Sequence, residues 1–228
     1  MQGTGVFLVS VSGACSRSGK TALAAALLEA LPPGSADALK FTTTEDVFER
    51  CPRGAPCVVC DIDVPFRLIQ DLVVLREPGT DTDRLAAAGA RRVFWAIAKR
   101  AAVRAAWQAA RQRLGEIGLL VMEGSTIVDL AQPDLLVFVA HPFLSPARWK
   151  PTSGPLLRRA DLVVVNRARS EQRDPSPEVM AEIARHRAGA EIRVADVTRP
   201  LAEWAPEIAA LLRMLCPPAG AAAAAGAR

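Results

Sequence analysis

Residues 13–21, Gly13-Ala14-Cys15-Ser16-Arg17-Ser18-Gly19-Lys20-Thr21, constrain the fold more than any other part of the chain. An apolar, strand-like run (6–11) precedes them, and an alanine- and leucine-rich stretch (22–31) follows, stopped by Pro32-Pro33-Gly34. Strand, small-residue loop and Gly-Lys-Thr opening a helix is the phosphate-binding pattern G-x-x-x-x-G-K-[ST] in a relaxed form, with Ala14 at the first position and Gly13 just before it. The residue types follow from the chemistry. Backbone N–H groups from Gly13 through Ala22 surround one anion at a helix N-terminus. Lys20 supplies a point charge for the β/γ-phosphates, and the Thr21 hydroxyl is placed for Mg²⁺.

The remaining pattern alternates short apolar strands with helices. Strands are expected at about 5–11, 36–42, 93–97, 118–122, 135–140, 162–165 and 192–197, and helices at 20–31, 84–90, 101–114, 154–159, 177–187 and 201–215. A hairpin over 66–71 and 73–76 is expected inside an irregular section at 43–81. Near-continuous apolar strands separated by helices imply an α/β fold, a mostly parallel sheet covered on both faces. A chain of 228 residues accommodates one such domain over 1–216, and the Ala/Gly/Pro-rich 217–228 is expected to be a disordered tail.

Composition narrows the function classes. The net charge of +4 is modest and the arginines are scattered, so no basic stripe for nucleic acid is expected. The longest apolar runs are strand-length, so no membrane span is expected. No basic segment followed by a long apolar run opens the chain, and a cytoplasmic location is the expectation. Under that expectation the five cysteines do not read as a disulfide framework. Three of them form Cys51-x5-Cys57-x2-Cys60. Thiolates two residues apart favour Zn²⁺ or an iron–sulfur cluster, although free loop thiols would look the same.

In open α/β sheets the ligand sits at the carboxyl ends of the strands, which singles out the residues found there. Glu123-Gly124 follows the run 119–122, and a carboxylate there suits Mg²⁺ near the phosphates. Lys40 ends the second strand, as a cation for a phosphate or substrate anion or as a solvated lysine. Asn166-Arg167 follows 162–165, and the amide's donor and acceptor match a purine edge as well as an ordinary turn. Asp81 and Thr82 stand where a helix begins, and Asp81, Asp83 and Arg84 are within plausible reach of a phosphate–metal complex.

The P-loop start, Lys40, Asp81-Thr82-Asp83-Arg84 with Ala88-Gly89-Ala90, and Glu123-Gly124 occur in the order that resembles the molybdopterin-guanine dinucleotide biosynthesis protein B family. The likeness spans roughly residues 5–140. It implies a GTP-binding adaptor of molybdenum-cofactor synthesis, a homodimer, and a protein partner in cofactor assembly. More distantly the chain is similar to dethiobiotin synthetase and the cobyrinic acid amide synthases, which implies that Asn166 and Arg167 handle the base. The guanine-reading Asn-Lys-x-Asp is absent, so GTP and ATP both stay open. The expected activity is slow Mg²⁺-dependent hydrolysis in which Lys20, Glu123 and Asp81 serve an in-line attack by water. The alternatives are an ATP-dependent kinase or ligase, whose acceptor site would draw on Lys40, Asp81, Arg84 and residues 150–153, and a nucleotide-gated binding protein without turnover.

Overall fold

The computed structural model describes residues 6–44, 62–115, 118–167, 173–186 and 191–216. The calls on Cys51, Cys57 and Cys60 and on the tail lie outside these residues.

The elements run β1 (Phe7–Gly13), α1 (Lys20–Glu29), β2 (Asp37–Thr44), β3 (Phe66–Ile69), α2 (Leu72–Leu75), α3 (Asp81–Ala87), β4 (Val93–Lys99), α4 (Val103–Leu114) and β5 (Leu119–Glu123). They continue as α5 (Val128–Ala131), β6 (Leu135–Ala140), α6 (Ser153–Arg159), β7 (Leu162–Asn166), α7 (Pro177–His186), β8 (Glu191–Ala195), α8 (Leu201–Trp204) and α9 (Pro206–Leu215). Among the described residues the eight strands form one sheet in the order β3-β4-β2-β5-β1-β6-β7-β8. Every pairing is parallel except β3 against β4. This is an α/β architecture, a mostly parallel sheet covered by helices.

Two-residue periodicity divides the apolar side chains between the faces. Val9, Val11, Leu119, Val121, Leu135, Val137 and Val139 face α1 and α9, through Leu23, Leu27, Ala209 and Leu212. On the opposite face Leu120 and Met122 meet Ala106, Trp107 and Ala110 of α4. Further along that face, Leu136, Phe138, Val163 and Val165 meet Leu156, Leu157, Val179 and Ile183 of α6 and α7.

Aspartates just before two strands hold the register. The backbone N–H of Asp134 donates to Leu8 O (2.9 Å), and its carboxylate accepts from Leu8 N (2.7 Å). Asp161 repeats the device on Leu136, at 2.9 and 2.7 Å. Asp37, fully buried, is clamped by Arg91 (2.9 and 3.0 Å) and by Arg92, whose Nη2 donates to its carboxylate at 2.6 Å. Burial alone would raise its pKa, but the two guanidiniums outweigh it and hold the carboxyl below its ordinary value.

Two expected elements differ. Residues 72–75 form a turn of helix, not the second arm of a hairpin, because the Asp71 carboxylate accepts from Val73 N (2.9 Å) and starts a helical turn. The expected helix over 201–215 is broken at Ala205, which leaves the helical region (φ −143°, ψ 63°) ahead of Pro206. Proline disfavours the helical conformation in the residue before it and sits well at the first position of the next helix. Among the described residues no helix is long and apolar enough to cross a membrane.

Candidate functional site

β1 is the sheet's turning point, flanked by β5 and β6, and its carboxyl end delivers the chain into the loop. Ala14, fully buried, donates its N–H to Val139 O (3.0 Å) and accepts from Lys150 N (2.8 Å). At the other end of the loop Asn166 Nδ2 donates to Ser18 O (3.0 Å), while its Oδ1 accepts from Val197 N (3.4 Å). The loop is therefore pinned at entry by the segment after β6 and at exit by the end of β7. Gly19 has φ +105°, and a Cβ there would lie 2.1 Å from Asn166 Nδ2, so only glycine fits. A Cβ on Gly13 would fall 2.9 Å from Val139 O. α1 opens without a side-chain cap and without an acid in its first turn, which leaves its N-terminal N–H groups available to an outside anion.

Lys20 bends back over this loop and donates to Cys15 O (2.6 Å). Its pKa falls to about 8, first because burial disfavours the ammonium and next because Lys150 repels it; Glu123 partly offsets both. Cys15 is partly exposed, and burial raises its thiol pKa against the pull of Lys20, Lys150 and Arg148.

Beneath the loop lies a chain of charge. Thr21 Oγ1 donates to Glu123 Oε2 (2.9 Å), and Lys40 Nζ donates to Glu123 Oε1 (3.2 Å) and to Asp81 Oδ2 (2.5 Å). The sheet sets this contact, since Lys40 and Glu123 are paired across the parallel β2–β5 register. Glu123 is only 4% exposed. Burial would lower the Lys40 pKa, but Glu123 and Asp81 outweigh it and raise it. Burial would raise the Asp81 pKa, and Lys40 pulls it below the ordinary carboxylate range. Thr80, whose hydroxyl accepts from Asp83 N (3.2 Å), is the cap that sets Asp81 at the start of α3.

A hydroxyl and a carboxylate side by side form an oxygen donor set that suits Mg²⁺. Among the described residues no group of three or more His, Cys, Asp or Glu side chains could hold a metal. A magnesium ion at Thr21 and Glu123 would thus take its remaining ligands from phosphate oxygens and water, as that ion usually does.

The structure brings together residues 13–22, Lys40, Asp81, Glu123 and Asn166. It does not tie Arg84 to them; that side chain is exposed on α3. Asp83 pairs instead with Arg76 (3.1 Å), and Arg167 with Asp174 (3.9 Å). Contacts without a signature in the local sequence complete the site. Ser12 Oγ donates to Gly124 O (3.1 Å), Gly13 N donates to Ser125 Oγ (3.4 Å), and Lys150 holds Ala14.

No family model matches the chain, and no curated protein matches it. Among solved structures it is similar to HypB from Helicobacter pylori, determined in complex with nickel, at 11% identity and a TM-score of 0.48, over 93% of this chain and 86% of that one.

Proposed function

We propose that the chain is a Mg²⁺-dependent nucleotide-binding protein that hydrolyses GTP or ATP slowly. The observation that carries this is the Thr21–Glu123 hydrogen bond beneath a glycine-bounded loop whose lysine is folded inward. The main-chain N–H groups of 13–22 would hold the phosphates, with Lys20 at the β/γ junction. Thr21 and Glu123 would hold Mg²⁺, which supplies charge neutralisation on the phosphate oxygens. Lys40 fixes the Glu123 carboxylate, and Asp81, held by the same ammonium, would orient water. Asn166 and Arg167 are the base-side residues. The single domain over 1–216, the disordered tail and a homodimer belong to the same proposal.

The order of Gly19-Lys20-Thr21, Lys40, Asp81–Arg84 and Glu123-Gly124 supports an adaptor role in molybdenum-cofactor or related metal-cofactor assembly, with a protein partner. Cys51, Cys57 and Cys60 would then bind Zn²⁺ or an iron–sulfur cluster. Metal analysis of protein purified without chelator tests that: Cys57→Ser should carry less metal, and metal-free wild type of unchanged fold and activity would refute it.

A kinase or ligase needs an acceptor anion near Lys40. That ammonium already serves two carboxylates, which favours hydrolysis. Phosphate release without an acceptor is the test. Steady release supports hydrolysis, release only with an added acceptor supports transfer, and binding without turnover supports a nucleotide-gated binding protein.

A further inference from the structure

Lys150 has no place in the usual phosphate-loop pattern, yet it is built onto the loop. Its N–H donates to Ala14 O at 2.8 Å, so the segment 141–152 between β6 and α6 is fastened to the point where the chain enters the loop. That segment is shaped from within. Arg148 N bonds Ser145 O (2.9 Å), Trp149 N bonds Pro146 O (3.0 Å) and Ser153 N bonds Lys150 O (2.9 Å). The Trp149 indole donates to Leu144 O (3.0 Å) while its ring lies 6.3 Å from that of Phe138. Lys150 is therefore presented by ordered backbone on both sides.

Its ammonium differs from the other two lysines of the site. Lys20 is spent on Cys15 O, and Lys40 on Glu123 and Asp81. The Lys150 ammonium makes no hydrogen bond or ion pair among the described residues, and the residue is exposed. The bond to Ala14 O anchors it at the loop entry, where its charge also acts on Lys20 and Cys15. Lys20 marks the β/γ end of the cradle. Asn166, at the base side, holds the opposite end of the loop. With Lys20 anchored at Cys15 O and Lys150 at Ala14 O, an anion on this loop would be met by two ammonium groups.

We propose that Lys150 is a second phosphate lysine, carried by the β6–α6 segment, which meets the terminal phosphate of a bound triphosphate and makes the site prefer triphosphate over diphosphate. This rests on the nucleotide reading above. A hydrogen bond between charged groups is the interaction lost in Lys150→Met; Lys150→Arg restores the charge.

The test is calorimetry with Mg²⁺ and a non-hydrolysable triphosphate, and with the diphosphate of the same base, on wild type, K150M and K150R. K150M should bind the triphosphate about tenfold or more weakly while the diphosphate changes by less than about threefold; K150R should stay within about threefold for both. The second readout needs no nucleotide. The pH profile of Cys15 alkylation, followed on its own peptide, should move to higher pH in K150M. Equal loss for both nucleotides, unchanged affinity for both, or an unmoved Cys15 profile would overturn the assignment. A wild type that binds neither nucleotide would instead refute the nucleotide reading and remove this role with it.

Discussion

Thr21 and Glu123 stand 102 positions apart and share a hydrogen bond of 2.9 Å, because β1 and β5 run parallel with Val11 beside Glu123. The helix that begins at Lys20 and the strand that ends at Glu123 thus converge on one point. Replacing Thr21 by valine keeps its shape and removes the hydroxyl. T21V should lose most of the strengthening that Mg²⁺ gives to nucleotide binding and leave metal-free binding nearly intact. E123Q should lower Mg²⁺ affinity or turnover by roughly 10–100-fold, the range seen when groups supporting a metal are altered. Titrations with and without Mg²⁺ check both, and equal Mg²⁺ enhancement in wild type and T21V would contradict the site.

Lys20 carries a pH dependence whose sign follows from its lowered pKa. In the free protein the ammonium loses its proton near pH 8, well below the ordinary lysine value. A bound polyphosphate favours the charged form. Affinity should therefore be level below about pH 8, fall as pH rises through that value, and be accompanied by proton uptake above it. Calorimetry in buffers of different ionisation enthalpy reads the uptake. Lys20→Ala should abolish binding with an unchanged circular dichroism spectrum; unaltered affinity would contradict the phosphate assignment.

Gly19 and Asn166 make a prediction about backbone. Gly19→Ala puts a side chain at φ +105° and 2.1 Å from the Asn166 amide nitrogen. The strain costs about 1–3 kcal/mol, and the displaced amide releases Ser18. The double variant G19A/N166A should cost less than the sum of the single changes, since one removes the atom that the other strikes. Urea unfolding of the four proteins checks this, and strict additivity would show that the two residues do not touch.

Asp37 serves the fold rather than the site. Arg91 and Arg92 neutralise it inside the sheet at the amino end of β2. Asp37→Ala removes the buried carboxylate and leaves two half-exposed guanidiniums that water can take up, so it should cost about 1–3 kcal/mol. Its native pKa lies below the ordinary value, so the stabilisation is present above pH 3.8 and is lost as pH falls through the native pKa. D37N should flatten the acid limb of the stability profile measured by thermal melts.

Much of this was legible in the chain. The apolar runs placed the parallel strands, and Gly19-Lys20-Thr21 placed the loop. Glu123 stood out as an acid ending a buried strand. The Lys40–Glu123 contact was not legible, because it depends on β2 lying next to β5, and that neighbourhood is a property of strand order. Lys150 reads in the sequence only as part of an acceptor site at 150–153, and its tie to the loop is hidden for a similar reason. A main-chain bond to Ala14 leaves no mark on side-chain pattern. The apolar Leu72 and Val73 suggested a strand, yet both are exposed, and the cap at Asp71 decided their conformation. The Asn166 amide is visible in the sequence, but its partners, Ser18 O and Val197 N, lie on two loops that only the fold brings together.

The most direct measurement is a crystal structure of the protein with Mg²⁺ and a non-hydrolysable triphosphate. The account predicts phosphates within hydrogen-bonding distance of the main-chain N–H groups of residues 13–22, Lys20 turned from Cys15 O onto a phosphate oxygen, and the metal between Thr21 and Glu123. A nucleotide seated elsewhere, with this loop empty and Lys20 still on Cys15 O, would contradict it.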